Sequence, residues 1–535
     1  MIFAVAMIFI DQTIVSIAIP EIQEGLNLST TGVQWAVNAY LLSLASLFAF
    51  GGRLADTVGH RKMVIAGIVV FAGASALCGL TPKGSVAEAW IVVFRVIQGA
   101  GGAIMFPAAL AIVVQTFALR ERGRALALFF GIAGGLTAIG PVLGGYLTQL
   151  TWRAIFWINI PVALIALALI FVSHPVTEHR PARMDFRGLA LVAGGIALSV
   201  FGFQQSTVWG WSNPAIASCI AAGLALLVVF YFFETHAREP LMQVGIFKIR
   251  PFLVQNIVLG ISSLVFIPVF FFGSEYAQVS LGKSSSQAGI ILLYFFIGFV
   301  ITAQLGGRML DQAGAKRPVV LGCALAAVGF WLWAGNVTSL RFSSQQWYIV
   351  LAGAGVGFML GPSSTDAVNR ASRLSYGEAT GITQTVRNYA ASLGIAILGT
   401  ILVTVLRDYL FTSLVALGQP AGRAHAQAAK LSQVTGRGAS GSVGSIPHFF
   451  RFGFAHATES VLYIMAAVMA AAAIVAFIGL RPGVQKEVPE EPAGHAPAGV
   501  TRSGDGPAEG LPEREPPAPR QRHQALLRQE VADRA

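Results

Sequence analysis

Long apolar runs separated by short polar segments dominate the hydropathy pattern of this chain. A helix needs about 20 apolar residues to cross the hydrocarbon core of a bilayer, and runs of that order recur along most of the sequence. The runs are continuous and do not alternate as ten-residue strands do, so the pattern predicts membrane-spanning helices and not a barrel. The fourteen predicted spans are 2–19, 31–51, 63–80, 90–114, 125–149, 154–172, 188–205, 214–233, 252–274, 287–306, 318–336, 347–367, 380–405 and 457–480.

Basic residues are distributed unevenly between the two alternating sets of short loops. Loops rich in Arg and Lys remain in the cytoplasm during membrane insertion. The pattern therefore places the basic set, and both termini, in the cytoplasm. That set contains Arg53, Arg61, Lys62, Arg120, Arg122, Arg124, Arg180, Arg183, Arg187, Arg238, Lys248, Arg250, Arg308, Lys316, Arg317, Arg370 and Arg373. The opposite set contains Lys83, Arg153, Lys283 and Arg341 when the long loop near 409–455 is left aside.

Composition agrees with a membrane protein and excludes other classes. Of the 535 residues, 55% are hydrophobic and 11% are charged, whereas a soluble domain is nearer a quarter charged. The net charge of +11 comes without a basic cluster interleaved with exposed aromatics, so nucleic acid is not an expected partner. Cys78, Cys219 and Cys323 lie singly in apolar runs and offer no metal spacing. The chain opens directly in an apolar run, so either the first span is short or the start lies upstream.

Sequence motifs of nucleotide-dependent enzymes are missing. Gly353, Gly355 and Gly357 lie inside a predicted span and follow no strand, so they do not form a dinucleotide loop. The sequence contains no GxxxxGK[ST] phosphate loop. We therefore expect neither an enzyme nor an ATP-driven pump, but a protein powered by an ion gradient.

A polar motif occurs twice and divides the chain. GRLADTVGHRK at 52–62 follows span 2, and GRMLDQAGAKR at 307–317 follows span 10. Pairing the copies starts one six-span unit at span 1 and another at span 9, with spans 7 and 8 as an insert. The predicted division is an N-terminal bundle at 1–172, cytoplasmic loops with two inserted spans at 173–251, a C-terminal bundle at 252–480 with a long external loop near 409–455, and a disordered cytoplasmic tail at 481–535.

Further motifs carry a family resemblance. They are DQTIVSIAIP at 11–20, RVIQGAGGA at 95–103, GPVLGG at 140–145 and WRAIFWINIP at 152–161. Together with the repeated polar motif, they resemble the fourteen-span drug:proton antiporter family (EmrB/QacA type) of the major facilitator superfamily. The resemblance implies an all-α integral membrane protein with the major facilitator fold, in which two six-helix bundles are joined by two extra central spans.

Asp11 is the first candidate for proton coupling. It lies nine residues before Pro20, about 13 Å from the outer end of the span at 1.5 Å per residue. A charge near the bilayer midplane costs at least ~2.5 kcal/mol, and burial favours the uncharged carboxyl, which suits reversible proton binding. The alternative is a hydrogen-bonded structural acid in a short first helix. The resemblance implies a role in coupling for the acid of this motif.

Arg95 and Gln98 are the companions of that acid. An arginine inside a span needs a partner within the protein, and Asp11 is the candidate that Arg95 would tune. The alternative is a guanidinium that satisfies backbone carbonyls. Gln98, one turn further on, is the polar neighbour of Arg95, and the resemblance favours the coupling role.

Small residues define the fifth span. Gly140-Pro141 removes a backbone hydrogen bond and bends the helix, whereas Gly131, Gly144 and Gly145 allow another helix to approach closely. The resemblance implies that this pattern belongs to exporters that exchange against protons, where it seals a helix interface. Small-residue packing alone is the alternative.

The repeated polar motif is the predicted cytoplasmic gate. Its two glycines in each copy would form tight turns, its acid would cap the next helix or pair with a base, and its basic residues would hold neighbouring helix ends together. The alternative for the bases is topology alone. The predicted gate residues are Gly52, Arg53, Asp56, Gly59, Arg61, Lys62, Gly307, Arg308, Asp311 and Gly314.

Polar residues of the second half complete the candidates. Asp366 ends span 12, and Gln384, Arg387 and Asn388 open span 13, where we expect them to serve partly as gate and partly as cavity. Some members of the family that the chain resembles carry an acid deep in span 10 or span 13 that helps to bind cations. Span 10 contains no acid here, which argues against export of divalent cations.

The sequence therefore predicts a proton-coupled exporter of small lipophilic or cationic compounds such as drugs or antibiotics. It needs no cofactor and no metal, because the proton gradient supplies the energy. The expected partners are the substrate, protons and the bilayer of the inner (plasma) membrane, with the protein as a monomer; the family also leaves a periplasmic adaptor open. Two other functions stay open: a proton symporter or facilitator of a metabolite, and, less favoured, a receptor or scaffold.

Overall fold

The helices of this protein are seen in a computed structural model that describes residues 1–117, 129, 136, 139–173, 184–237, 239–369, 376–432 and 447–483. All described helices belong to one compact unit, Met1–Gln485. They are α1 (Ile2–Ile17), α2 (Ile19–Leu26), α3 (Thr30–Val58), α4 (His60–Gly79), α5 (Ala87–Thr116), α6 (139–150), α7 (Ala154–Trp157), α8 (Asn159–Ser173), α9 (Phe186–Trp209), α10 (Pro214–His236), α11 (Arg250–Val279), α12 (Ser285–Ala313), α13 (Lys316–Val337), α14 (Gln346–Asn369), α15 (Tyr376–Ala416), α16 (Ala421–Ser432) and α17 (His448–Gly479), with 3₁₀ turns at Val244–Lys248 and Phe342–Ser344.

The predicted all-helical, multi-pass membrane architecture is confirmed. Twelve helices in the described ranges are long and apolar enough to cross a bilayer, and the pair α1 and α2 raises the number to thirteen if it forms one span. The predicted span 125–149 falls largely outside the described residues, although its last part is helical as α6. The number fourteen therefore stays a prediction.

The first predicted span, 2–19, is a bent pair of helices and not one straight helix. α1 ends at Ile17, α2 begins at Ile19, and the two axes differ by 67°. Pro20 lies in the first turn of α2. Proline has no N–H to donate to the carbonyl four residues earlier, and its ring clashes with that carbonyl, so the helix ends before Pro20 and restarts in a new direction.

The two copies of the polar motif are mostly helical, which corrects the predicted turns at all four glycines. Gly52 lies inside α3 and Gly307 lies inside α12. The chain changes direction only at Gly59 (φ 106°) and Gly314 (φ 78°). The residues between the glycines are compatible with a helix, so α3 and α12 continue beyond their apolar runs until a glycine can adopt a positive φ.

The helices at the end of the chain extend beyond their predicted spans. α15 has 41 residues, which makes it ~60 Å long, about twice the ~30 Å hydrocarbon core. The predicted external loop near 409–455 is helical in most of its described part, because α15 continues to Ala416, α16 follows and α17 begins at His448. Residues 433–446, and the predicted tail beyond residue 483, lie outside the described residues.

The same helix pairings recur in the two halves of the chain. In the first half α3 and α4 both pack against α5, and α8 packs against α4; in the second, α12 and α13 pack against α14, and α17 packs against α13. Between the halves, α1 contacts α11 and α3 contacts α15. The inserted helices α9 and α10 pack on each other, and α9 also contacts α3 and α15. Side chains on α1, α3, α11 and α15 are therefore placed to act between the halves.

Candidate functional site

A buried ion pair joins α1 to α5. Arg95 Nη1 lies 2.5 Å from Asp11 Oδ2, and Gln98 Nε2 donates to Asp11 Oδ1 at 2.8 Å. Asp11 and Gln98 have no exposed surface, and Arg95 is 1% exposed. The structure thus brings together the three residues that the sequence singled out for proton coupling, and both carboxylate oxygens accept a hydrogen bond.

Arg95 is also satisfied by groups other than its carboxylate partner. Its Nε donates to the Ala36 carbonyl at 2.9 Å, its Nη1 donates to Gln98 Oε1 at 2.9 Å, and its guanidinium carbon lies 4.2 Å from the centre of the Tyr40 ring. Removing one partner of such a buried pair is strongly unfavourable, by about 3–5 kcal/mol. Loss of charge on Asp11 would therefore disturb the whole contact between α1 and α5.

A narrow cavity lies between the two halves and is lined in part by α1, the helix that carries Asp11. Gln12, the neighbour of Asp11 on α1, lines it together with Gln384, Arg387 and Asn388 of α15. Gln12 Nε2 donates to Asn388 Oδ1 at 3.4 Å across the halves. The cavity volume is about 20 Å³, room for on the order of one water molecule, so a larger guest requires the halves to move apart.

The walls of the cavity are aromatic and amide-rich, with a single charge. Four phenylalanine rings from both halves line it, and Arg387 is the charged residue among its lining side chains. No Asp or Glu of the described residues belongs to this lining. The predicted preference for cationic compounds therefore finds no counter-ion here. The phenylalanines are Phe9, Phe48, Phe106 and Phe266.

Asp366 lies apart from the three predicted residues that line the cavity. Gln255 Nε2 of α11 donates to Asp366 Oδ2 at 2.6 Å, and Ser363 Oγ donates to Gln255 Oε1 at 2.6 Å. All three side chains are buried, so Asp366 joins α14 to α11. Sequence reasoning missed Gln255, although a glutamine within an apolar run was the available signal.

Small residues of α6 bring it close to both halves. A Cβ atom at Gly144 would lie 2.8 Å from Ile14 Cγ1 of α1, and one at Gly145 would lie 2.6 Å from Ser286 Cα of α12. A Cβ atom at Gly140 would collide with the Thr13 hydroxyl. On its other side, the carbonyl of Pro141 faces Gly289 of α12, where a Cβ atom would collide with it. Gly131, also predicted for this interface, lies outside the described residues.

Two hydrogen bonds connect the halves beyond these glycines. Gln149 Nε2 of α6 donates to Ser286 Oγ of α12 at 2.5 Å. Gln278 Nε2 of α11 donates to the carbonyl of Ile17 at 2.9 Å, directly before the bend that separates α1 from α2. The halves are therefore held together at the end of the molecule where α1 and α6 finish.

The contacts of the first copy of the polar motif include two long charged pairs. Arg53 Nη2 lies 3.6 Å from Glu239 Oε2, in the segment before α11, and Asp56 Oδ1 lies 3.7 Å from His60 Nε2. Asp56 lies in the last turn of α3 and does not cap α4, whose N-cap Gly59 offers no side chain. The exposed pair with Glu239 is worth at most about 1 kcal/mol, which suits a contact that forms and breaks.

The second copy differs from the first. Ala315 stands where the first copy has His60, and neither Arg308 nor Asp311 has an ion-pair partner among the described residues. The pairing predicted for Asp311 is therefore missing from this arrangement of the helices. The gate role of both copies, including Arg61 and Lys62, stays a prediction.

Comparison with known proteins decides the family. The sequence model of the Major Facilitator Superfamily matches residues 1–395. This chain belongs to the Major Facilitator Superfamily. The superfamily fold agrees with a solved structure of the xylose transporter XylE from E. coli, in a partially occluded inward-open conformation, which is 12% identical, has a TM-score of 0.55 and aligns over 91% of this chain and 98% of its own.

Curated members of the superfamily resemble most of the chain. The tetracenomycin C resistance and export protein of Streptomyces glaucescens is 34% identical over 408 residues, which are 76% of this chain and 75% of that protein. The cephamycin export protein CmcT of Amycolatopsis lactamdurans is 29% identical over 74% of this chain and 82% of its own. The multidrug transporter protein MdtP of Bacillus subtilis is 29% identical over 74% of each. Superfamily members are in general transporters and not enzymes.

Proposed function

We propose that this chain is a proton-coupled exporter of small lipophilic compounds such as drugs or antibiotics. The observation that carries the proposal is the buried cluster of Asp11, Arg95 and Gln98, whose helices α1 and α5 also line the cavity between the halves. Gln12 links the cluster to the other half, because it follows Asp11 in α1 and donates a hydrogen bond to Asn388 of α15. A change of charge at Asp11 can therefore act on the position of the halves.

The proposed cycle uses the ion pair as the proton-binding element. A proton on Asp11 neutralises its carboxylate and weakens its attraction to Arg95, so α1 is released from α5. Asp11 has no exposed surface here, so proton exchange requires another arrangement of the halves. The two bundles then rock about the cavity, as in other transporters built from repeats. The proton gradient supplies the energy, and no cofactor takes part.

The direction of transport is the second part of the proposal. The glycine pattern of α6 supports an exporter, because the family resemblance implies that this pattern belongs to proteins that exchange substrate against protons, and α6 packs closely against α1 and α12. Relatives named for export of tetracenomycin C and cephamycin, and for multidrug transport, support an antibiotic or drug as substrate. A symporter or facilitator is the competing mode.

Topology and assembly complete the proposal. We assign the chain to the fourteen-span EmrB/QacA type, with the bent pair α1–α2 as span 1 and α6 as the end of span 5. The two bundles at 1–172 and 252–480 flank the inserted spans of 173–251. The basic loops and both termini face the cytoplasm of a cell whose plasma (inner) membrane holds the protein as a monomer. The two polar motifs act as its cytoplasmic gate.

Transport in everted membrane vesicles tests the proposal. A lipophilic fluorescent dye is added to the medium outside vesicles with the protein and vesicles without it. A pH jump then makes the interior of the vesicles acidic. An exporter moves the dye into the vesicle while protons leave. Dye movement in the same direction as protons would establish symport, and dye movement unaffected by the pH jump would exclude proton coupling.

A further inference from the structure

Arg387 is a charged side chain without a counter-ion among the residues that the structure describes. Its Nη1 donates to Gln384 Oε1 at 3.3 Å, and its Nε has no hydrogen-bond acceptor. None of the described carboxylates lies within ion-pair distance of it. A cation between helices of a membrane protein is unfavourable without compensation, so its retention at this position requires an explanation.

The contrast with Arg95 shows that compensation by the fold is available elsewhere. Arg95 is met by the carboxylate of Asp11, by the Ala36 carbonyl and by Gln98. Arg387 lies instead on the wall of the cavity between the halves, beside the amides of Gln384 and Asn388. Its charge is therefore directed at the space between the halves, which a guest molecule can enter when the halves move apart, and not at a described carboxylate.

The rest of the cavity determines what kind of guest would fit. Phe9, Phe48, Phe106 and Phe266 supply an apolar aromatic wall, and no acid of the described residues lines the cavity. A guanidinium presents a planar fork of donors that matches a carboxylate or a similar oxyanion. A permanently cationic guest would meet the charge of Arg387 and find no carboxylate to pair with.

We propose that Arg387 recognises an oxyanion on the transported compound, so that this exporter selects amphipathic anions with an aromatic body. The inference rests on the proposed function, because it names the substrate class of the same cavity. The binding group is a carboxylate or a similar oxyanion. Asn388 adds a second consequence: its bond to Gln12 places the bound anion next to the helix that carries Asp11.

Binding and transport of two aromatic dyes test the proposal. Fluorescein is an anion at neutral pH, and ethidium is a permanent cation of comparable size. Binding of each dye to the purified full-length protein in detergent is measured by fluorescence, and transport is measured in everted vesicles. Wild-type protein is expected to bind fluorescein more tightly than ethidium. Arg387→Gln is expected to weaken fluorescein binding at least about tenfold (about 1.4 kcal/mol) and to leave ethidium binding equal or stronger.

Two further variants separate recognition from packing. Arg387→Lys keeps the charge but not the planar fork, so fluorescein binding should fall between wild type and Arg387→Gln. Arg407→Gln, on the same helix, is the matched control, because Arg407 is 40% exposed and lies 3.8 Å from Asp408 outside the cavity. It should bind both dyes as wild type does. Size-exclusion elution and thermal unfolding of each variant report whether it is folded. A packing defect alone would not remove the preference for the anionic dye in a folded variant.

The outcomes distinguish this inference from the proposed function. Wild-type fluorescein binding that is undetectable, or the same affinity in wild type and Arg387→Gln, overturns anion recognition whatever the transport result. Proton-driven export of ethidium that does not depend on Arg387 also overturns anion recognition. That result leaves the proposed function in place. Arg387-dependent fluorescein binding without transport of either dye would refute the exporter and support the anion site.

Discussion

Asp11 differs from an ordinary buried acid because both of its oxygens are engaged by fixed donors. Arg95 and Gln98 come from the same face of α5, one turn apart, and neither side chain is exposed to water. The carboxylate therefore has one charged partner and one neutral partner. Substitutions at Asp11 and Arg95 should separate the contribution of the charges to export and stability from the contribution of side-chain volume.

The variant Asp11→Asn is expected to abolish proton-coupled export while the protein still inserts into the membrane. Asparagine preserves the volume but leaves Arg95 as a buried cation without a counter-ion, which should lower the free energy of unfolding by about 3–5 kcal/mol. Dye export after a pH jump and thermal unfolding in detergent measure the two effects. Export at the wild-type rate would refute the coupling role.

The double variant Asp11→Asn with Arg95→Gln serves as the control for that experiment. It removes both charges, so much of the lost thermal stability should return. Export should remain absent, because no group in the cluster can then exchange a proton. Recovery of export in the double variant would mean that the pair is a structural element only.

The buried ion pair is the part of the candidate site that the sequence could place. A charge in an apolar run must find a partner, and this reasoning connected Asp11 with Arg95 before any contact was known. Gln98 was found because it lies one turn from Arg95. Gln12 and Gln255 were missed, because an uncharged polar residue in an apolar run need not have a partner. Their partners, Asn388 and Asp366, are more than a hundred residues away in the chain, and only packing shows which side chains meet.

At the scale of single helices, α6 depends on the absence of side chains. Its glycines face α1 and α12 at distances that leave no space for a Cβ atom. The contact is therefore a property of the whole helix surface and not of one interaction. Enlarging one of these positions should act on transport through the separation of the helices.

The variant Gly144→Leu is expected to reduce transport to a few per cent of wild type or less, because the new side chain would push α6 away from Ile14 of α1. Gly73→Leu on α4 is the matched control, since no atom lies within 4 Å of a Cβ atom there, and it should transport normally. Initial rates of dye uptake, normalised to the amount of protein in the vesicles, measure both. Equal rates would mean that the interface of α6 is not tight during the cycle.

The glycines of the repeated motif should respond differently from each other. Gly59 has φ 106°, so Gly59→Ala is expected to destabilise the protein by about 1–3 kcal/mol. Gly52 lies inside α3, and a Cβ atom there would meet Pro107 Cβ at an ordinary 3.6 Å, so Gly52→Ala should be neutral or slightly stabilising. Thermal unfolding of the two purified variants tests this difference in stability. Equal melting temperatures would contradict the prediction.

The existence of the helices was predictable, whereas several of their ends were not. Apolar length identified spans such as α10 and α13, because lipid requires a helix there. Outside the bilayer this requirement ends, and the chain itself decides where a helix stops. α3 continues to Val58 because Arg53 and its neighbours favour a helix until Gly59. α15 continues to Ala416 because the residues after its apolar run also favour a helix.

For the molecule as a whole, the contacts between the halves determine how they can move. Gln149 and Ser286 connect α6 to α12 at the end where α1 finishes. Gln12 and Asn388 connect the halves nearer the middle of α1. Rocking about the cavity would keep the central contact short and separate the terminal one.

A cross-link between residues 149 and 286 tests this motion. Gln149→Cys with Ser286→Cys, in a chain whose three native cysteines are replaced by alanine, is treated with a short bifunctional thiosulfonate reagent. We expect export to fall to background and to return after reduction. The two single-cysteine variants should be unaffected by the reagent. Full export in a completely cross-linked sample would show that α6 and α12 need not separate.

The inserted helices are part of this interface and not an appendage to it. The side-chain amides of Asn38 on α3 and Gln204 on α9 lie 2.5 Å apart, and Ser392 of α15 donates to Asn38 Oδ1 at 3.1 Å. One buried polar cluster therefore includes both halves and the insert. The sequence could count spans 7 and 8 but could not show this junction, because its members are separated by more than 150 residues.

The bend after α1 has a consequence for how this protein tolerates mutation. The acceptor for Gln278 is the backbone carbonyl of Ile17, and every amino acid at position 17 supplies that atom. Substitutions of the Ile17 side chain can therefore accumulate without loss of the bond between the halves. The sensitive position is Pro20, which ends α1 but takes no part in the hydrogen bond. Substitutions that change the bond between Gln278 and the Ile17 carbonyl should therefore be sought at Pro20.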